Sequence, residues 1–157
     1  MDQQILIYVL LGGLAIGLLI SAYTDIKHRL ILNAVTAPIA LAAPLYWYAV
    51  GDFSLIGIGL HLAIAAAVFV FFALLFRFGA MGGGDVKLFS ALALWFNLVW
   101  VMRLLLIATI LGAAVTIVFW LIHKRKGQSG PVRVPYGVAI ALSGLWVVSE
   151  HIFNHFG

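Results

Sequence analysis

Two aspartates, Asp25 and Asp85, are the residues of this 157-residue chain whose type and placement best suggest chemistry. Asp25 follows one long apolar run, and Asp85 precedes another. Two carboxyl groups that share a site cannot both ionise easily, so one keeps a proton near neutral pH while the other stays charged. An acid held beside a base is what hydrolysis of a peptide bond by water requires. The elements that carry these two residues must therefore bring them to one site.

The other three acidic residues are interpreted as structural. Asp52 lies in the turn-like sequence 51–54 and is expected to be a solvated turn residue. Asp2 lies near the N-terminus, and Glu150 lies near the end of the last apolar run, where its carboxylate can reach an interface.

The composition explains why the chain has so few acidic residues to consider as catalytic candidates. Of all residues, 65% are hydrophobic and 9% are charged, whereas a soluble domain is about 45–50% apolar and about 25% charged. A soluble fold of this length could not hide so much apolar side chain from water. A soluble enzyme, a nucleic-acid-binding domain and a disordered chain are therefore excluded. The prediction is an all-α membrane protein in contact with the lipid bilayer, with no nucleic-acid partner.

No metal ion or organic cofactor is expected. The chain has no cysteine, which excludes disulfides and thiolate metal sites. Its five histidines form no metal-ligand pattern.

The apolar runs predict one bundle of about six transmembrane helices, with residues 1–157 forming a single domain. The first run is long and follows Asp2 rather than a basic residue, so it is interpreted as a retained helix and not as a cleaved signal. Only Asn97 and Arg103 separate the fourth span from the fifth. The predicted spans are 5–23, 34–50, 55–76, 86–100, 104–122 and 136–153, with edges good to a few residues.

The basic residues predict the orientation of these spans. Three of the connecting segments lie on one side and hold every Lys and Arg except Arg103. By the positive-inside rule that side is cytoplasmic, both termini are non-cytoplasmic, and segment 123–135 is a flexible cytoplasmic connector. Asp25 at the end of the first span and Asp85 at the start of the fourth then share the cytoplasmic face. Aromatic residues near span ends are interpreted as interfacial anchors: Tyr46, Trp47, Tyr48, Trp100 and Trp120.

Each aspartate also has a structural interpretation. Arg29 lies four residues after Asp25, in reach of a salt bridge if the helix continues. Asp85 follows the glycines of 82–84 and is a candidate N-cap of the fourth span. The glycines of segment 78–87, which are Gly79 and 82–84, permit unusual φ values and the close approach of another backbone, such as that of an extended substrate. A phosphate-binding interpretation of this glycine-rich segment is weak, because no Gly-Lys-Ser/Thr ending follows.

Taken together, these residues resemble a known family. The segment Gly82-Gly83-Gly84-Asp85 matches the Gly-x-Gly-Asp signature of intramembrane aspartic proteases. Lys87, and the earlier Asp25 with Arg29, Ile31 and Asn33, resemble the prepilin and preflagellin peptidase branch, the type IV leader peptidases. Segment 134–141 is similar to the last-span motif of that family.

The resemblance implies a membrane aspartic endopeptidase of the cytoplasmic membrane. Its substrate would be a pilin-like precursor with a short basic leader ahead of a hydrophobic helix. Asp25 and Asp85 would be the catalytic pair, and Gly82 and Gly84 would shape the backbone. Lys87 would orient Asp85 or stabilise its charged form, and Arg29 would do the same for Asp25.

Two departures from the family pattern are visible. The family often has Pro before the Asn, whereas this chain has Leu32 before Asn33. The chain also lacks the cysteine-bearing cytoplasmic domain of the bifunctional, methylating members. It therefore resembles short, peptidase-only forms that serve tight-adherence pili or archaeal-type filaments.

Other functions remain open at this point. A small proton- or cation-coupled transporter would use the two acids as ion sites, but such sites tend to lie near the bilayer midplane. A non-catalytic subunit of a secretion or pilus assembly complex would tolerate neutralisation of both acids. A protease of the presenilin kind would place the second aspartate inside a later span of a longer chain.

Overall fold

A computed structural model describes residues 3–125 and 134–156, with side chains up to residue 154. Asp2 and most of the predicted polar connector lie outside these residues. Within them the predicted all-α fold is confirmed, and the regular elements are six helices. These are α1 (Gln3–His28), α2 (Asn33–Ala49), α3 (Leu55–Arg77), α4 (Gly83–Ala93), α5 (Leu98–Arg125) and α6 (Tyr136–Phe156).

Four of these helices are long and apolar enough to cross a membrane. They are α1, α3, α5 and the part of α6 from Tyr136 to Asn154, with mean hydropathies of 2.5, 2.6, 2.6 and 1.4. The protein is therefore a multi-pass membrane protein. The remaining two helices are shorter, with 17 residues in α2 and 11 in α4.

The predicted fourth span, 86–100, is wrong in its extent. Helix α4 ends at Ala93 and α5 begins at Leu98, so Trp100 belongs to the next helix. The break at Asn97 was expected and has a local cause, because the Asn97 side chain accepts a hydrogen bond from the Trp100 amide at 3.2 Å. Arg103, by contrast, lies inside α5 and does not interrupt it.

Helix α4 is the buried centre of the bundle. It packs against α2, α3 and α6, while α1 packs against α2 and α6, and α5 packs against α6. Two indole N–H groups hold the break that follows α4. Trp47 donates to the Leu94 carbonyl at 2.7 Å, and Trp95 donates to the Ile39 carbonyl at 2.9 Å.

The helices run up and down, which divides the polar residues between two ends of the bundle. At one end, α1, α3 and α5 finish and α2, α4 and α6 begin. This end is called the dyad end, after the two aspartates Asp25 and Asp85. Two contacts tie this end together: Lys87 donates to Asn33 at 2.9 Å, and the hydroxyls of Thr116 and Tyr136 lie 3.4 Å apart. The opposite end is called the far end. The dyad end contains those basic residues of the predicted cytoplasmic side that the structure describes: Lys27, Arg29, Arg77, Lys87, Lys124 and Arg125.

Candidate active site

Asp25 lies near the end of α1 and is buried, with 6% of its surface exposed. Its Oδ2 atom is also buried and has no hydrogen-bond partner. The backbone amides of Gly137 and Val138 in the first turn of α6 face the carboxyl group, and the Val138 amide also donates to the Pro135 carbonyl at 3.3 Å. Asp25 therefore has an unused oxygen in a site that offers backbone donors.

Gly137 permits this approach of α6 to α1. A Cβ atom added to Gly137 would lie 2.8 Å from Asp25 Oδ2 and 2.7 Å from Ile31 Cδ1. Both distances are shorter than real Cβ contacts, so a side chain here would displace the carboxyl group or α6. The sequence motif contained Gly137, but sequence reasoning gave the residue no role. The only signal was a glycine at the start of an apolar run.

Asp85 lies in the first turn of α4 and is also buried, at 8% exposed. It is not the N-cap of α4, because Gly82 occupies that position. Instead, Asp85 Oδ2 accepts a hydrogen bond from the Gly82 amide at 3.2 Å. This contact is the carboxylate half of a capping box, and it fixes the orientation of the Asp85 side chain.

The glycines of the Gly-x-Gly-Asp segment serve close packing and not unusual φ values. Gly82 has a φ of −75°, and the helix begins at Gly83. A Cβ on Gly82 would lie 2.9 Å from Asp85 Oδ2, and a Cβ on Gly84 would lie 2.9 Å from Ile31 Cβ. Close packing at Gly82 and Gly84 thus agrees with the prediction, and the approach of a substrate backbone stays a prediction. The expected unusual φ occurs at Gly79 of the same glycine-rich segment, at 73°, and not at 82–84.

In the structure, the glycine next to each aspartate packs against the same residue, which places Asp25 and Asp85 in one region. Ile31 contacts Gly84 beside Asp85 and Gly137 beside Asp25. Asp85 lies outside the four helices that are long enough to span a membrane. Burial, and after it the charge of Asp25, raise the pKa of Asp85 to about 6. The charge of one carboxyl group therefore acts on the other.

The basic residues do not make the contacts that were predicted for them. Among the described residues, no ion pair within 4.0 Å joins a basic side chain to Asp25 or Asp85. Lys87 bonds to Asn33 instead, which ties the start of α4 to the start of α2. Helix α1 ends at His28, and the Arg29 guanidinium stacks on the Phe119 ring at 4.9 Å. The predicted salt bridge between Asp25 and Arg29 is therefore absent.

Polar residues at the far end are paired with one another. The His61 ring lies 3.1 Å from the Asp52 carboxylate, and Arg103 bonds to Glu150. Asp52 is exposed as predicted, but its carboxylate also has His61 as a hydrogen-bonding partner. Tyr46 bonds to His151 at 2.7 Å.

The prediction of interfacial aromatic anchors is correct for only part of the set. Tyr48 and Trp120 are at least half exposed. Tyr46, Trp47 and Trp100 are instead buried in the core. Among the described residues, no group of three or more His, Cys, Asp or Glu side chains could hold a metal ion.

The sequence profile of the type IV leader peptidase family matches residues 12–117, a segment that contains both aspartates. The chain belongs to the type IV leader peptidase family. The resemblance drawn from the Gly-x-Gly-Asp segment and Asp25 is therefore confirmed.

Two curated relatives carry the name prepilin leader peptidase/N-methyltransferase. The protein of Legionella pneumophila is 29% identical over 150 residues, which cover 88% of this chain and 49% of the relative. The protein of Xanthomonas campestris pv. campestris is 29% identical over 134 residues, or 79% of this chain and 43% of the relative. The chain thus spans about half the length of the curated relatives it matches. No solved structure matches it significantly.

Proposed function

We propose that this chain is an aspartic endopeptidase that removes the short basic leader from pilin-like precursors, and that residues 1–157 form one peptidase domain. One observation carries the proposal: two buried carboxyl groups lie at the dyad end of a leader peptidase family member, and among the described residues neither has a basic partner within 4.0 Å. Buried charges in membrane proteins are expensive and usually serve a function.

In the proposed reaction Asp25 and Asp85 share one proton. The ionised carboxylate takes a proton from a water molecule, whose oxygen attacks the scissile carbonyl carbon. The protonated carboxyl group donates its proton to the carbonyl oxygen. Collapse of the tetrahedral intermediate breaks the C–N bond. The departing amine takes the proton that the first carboxylate accepted from water, and the second carboxylate regains a proton from a hydroxyl group of the intermediate. The acid and base roles belong to the pair, because coupled carboxyl groups titrate together.

The same proposal places the protein in the cytoplasmic membrane with the dyad end facing the cytoplasm. The basic residues near this end support that orientation, because cytoplasmic segments of membrane proteins are enriched in Lys and Arg. The leader of the precursor would remain beside Asp25 and Asp85 while its hydrophobic helix lies in the bilayer. Family membership and the position of both acids at one end argue against the transport alternative.

The test neutralises each acid without changing its shape. Asp25→Asn and Asp85→Asn are produced at normal membrane levels and mixed with a pilin precursor that the wild-type protein cleaves. We expect neither variant to cleave measurably. Cleavage at the wild-type rate by either variant contradicts the proposed mechanism, in which both carboxyl groups are required.

A further inference from the structure

Arg29 has a backbone conformation that is unusual for its residue type. Its φ is 55°, and it is the one non-glycine residue with a positive φ in the part of the chain that the structure describes. Such a conformation costs free energy in a residue with a Cβ atom, and it persists only where the surrounding structure enforces it. The turn directs the chain out of α1, and the Arg29 amide still donates to the Asp25 carbonyl at 3.0 Å.

The guanidinium of Arg29 is held in place but has an unused donor. It stacks on the Phe119 ring of α5, 4.9 Å from the ring centroid. Its Nη1 atom is buried and has no hydrogen-bond partner. A buried donor without a partner is costly, and a guanidinium has five N–H donors arranged in a plane. The structure thus maintains a positioned cation whose hydrogen bonds are incomplete.

This unused donor lies in the neighbourhood of the proposed catalytic pair. The charge of Arg29 acts on the Asp25 carboxyl group, although no ion pair within 4.0 Å forms between them. Arg29 follows the last turn of α1, and Ile31, two residues later, contacts Gly84 and Gly137 beside the two aspartates. A ligand that engages the acid pair therefore lies near the turn that carries Arg29.

The chemistry of a guanidinium decides what it binds. Its planar donors match a carboxylate, which they can bind through two parallel hydrogen bonds. Hydrolysis of a peptide bond creates a carboxylate at the cleaved carbonyl carbon, beside the acid pair. Stacking on Phe119 occupies the face of the guanidinium and not its edge, where the N–H groups lie.

We propose that Arg29 is a product-binding residue that holds the new C-terminal carboxylate of the cleaved leader. Before cleavage it binds the backbone carbonyl oxygen of the same leader segment. This inference rests on the proposed function, since it assigns Arg29 to the product of that reaction. It goes beyond the role first predicted for Arg29, which was to orient Asp25 or to stabilise its charged form and which stays a prediction.

The test uses two synthetic basic leader peptides that differ only at the C-terminus, one ending in a free carboxylate and the other in an amide. Binding of each to detergent-solubilised protein is measured by fluorescence anisotropy, and inhibition of precursor cleavage is measured in parallel. We expect wild type to bind the carboxylate peptide about 10- to 100-fold more tightly, the range for a charge-assisted hydrogen-bonded pair. Equal binding of the two peptides, or no binding of either, overturns the proposal without any variant.

Variants of the protein then test whether Arg29 causes the preference for the carboxylate peptide. Arg29→Gln is expected to remove the difference between the two peptides, and Arg29→Lys to retain only part of it, because a lysine cannot form the bidentate contact. Arg77→Gln is the matched control, since Arg77 is exposed at the dyad end of α3. A carboxylate preference that survives in Arg29→Gln contradicts the assignment. If Arg29→Gln does not accumulate, Phe119→Leu tests the same site by removing the stacking surface, and an unchanged preference counts against the proposal.

Failure of this inference is distinct from failure of the proposed function. If wild type cleaves precursors but does not distinguish the peptides, the peptidase proposal stands and Arg29 has another role. If wild type cleaves no precursor yet binds the carboxylate peptide through Arg29, the carboxylate site stands and the peptidase proposal fails.

Discussion

The two ends of the bundle treat their carboxylates differently. At the far end Asp52 lies beside His61 and Glu150 beside Arg103, and the Asp52 side chain is 52% exposed. At the dyad end Asp25 and Asp85 are at least nine-tenths buried and have no basic partner within 4.0 Å among the described residues. Exposed, paired carboxylates cost little, whereas buried, unpaired ones are costly and are retained for a use. In this protein, the presence or absence of a basic partner therefore distinguishes the structural carboxylates from those proposed to be functional.

The largest expected effect is on the cleavage rate, when the acids of the dyad end are neutralised and compared with those of the far end. General acid–base catalysis contributes about 100- to 10,000-fold, so Asp25→Asn and Asp85→Asn should each reduce the cleavage rate by at least about 100-fold. Asp52→Asn and Glu150→Gln should leave the rate within about twofold of wild type. Rates are measured with equal amounts of purified protein. A far-end variant that loses activity as completely as a dyad variant would remove the distinction between the ends.

The next effect concerns the fit of α6 against Asp25. Gly137→Ala adds an atom that would lie 2.8 Å from Asp25 Oδ2, so the carboxyl group must shift. A displacement of about 1 Å can cost about 100-fold in rate, and we expect at least a tenfold loss of kcat. Gly12→Ala is the control, because a Cβ there meets no atom within 4 Å. Equal activity of the two variants would show that the position of Asp25 tolerates movement of α6.

A third prediction concerns pH and stability. The folded-state pKa of Asp85 is raised to about 6, from an ordinary value of 3.8. The stability that this group contributes is therefore fully present below about pH 4 and is lost as the pH rises through about 6. Asp85→Asn does not lose it, so its melting temperature in detergent should exceed that of wild type at pH 8. The difference should shrink toward pH 4, and a constant difference across this range contradicts the assignment.

The smallest effect is expected from the ion pair of Arg103 and Glu150. Their side chains are 48% and 33% exposed, and such pairs contribute about 0–1 kcal/mol. Arg103→Gln should therefore change the free energy of unfolding by less than about 1 kcal/mol and leave cleavage unaffected. Denaturation with and without added salt checks this, since salt screens the wild-type pair. A larger loss of stability would give the far end a greater role than its exposure indicates.

The features that depend on rare residue types could be predicted from the sequence. Fewer of the features that depend on packing between helices could be predicted. Scarce charge made Asp25 and Asp85 visible, and the apolar runs located all six helices. The end of α4 could not be predicted, because it depends on indole hydrogen bonds from Trp47 and Trp95 to distant carbonyl groups. The role of Gly137 could not be predicted either, because it arises from a contact with Asp25 on another helix.

Arg29 and Lys87 illustrate the same limit. Proximity in sequence suggested that each serves its neighbouring aspartate. The structure places Lys87 on Asn33 and Arg29 on Phe119. Spacing along a helix gives the reach of a side chain, but the partner depends on which helices surround it.

The shortness of α4 has a consequence for how the protein is made. Eleven residues rise about 16 Å, roughly half of the hydrocarbon thickness that a spanning helix must cover. Helix α4 cannot cross a bilayer by itself, so its insertion depends on the neighbours that enclose it. Asp85 therefore reaches its place only when α2, α3 and α6 have assembled around α4. A nascent or incompletely folded chain has no complete acid pair, so the proposed peptidase stays latent until its own folding is finished.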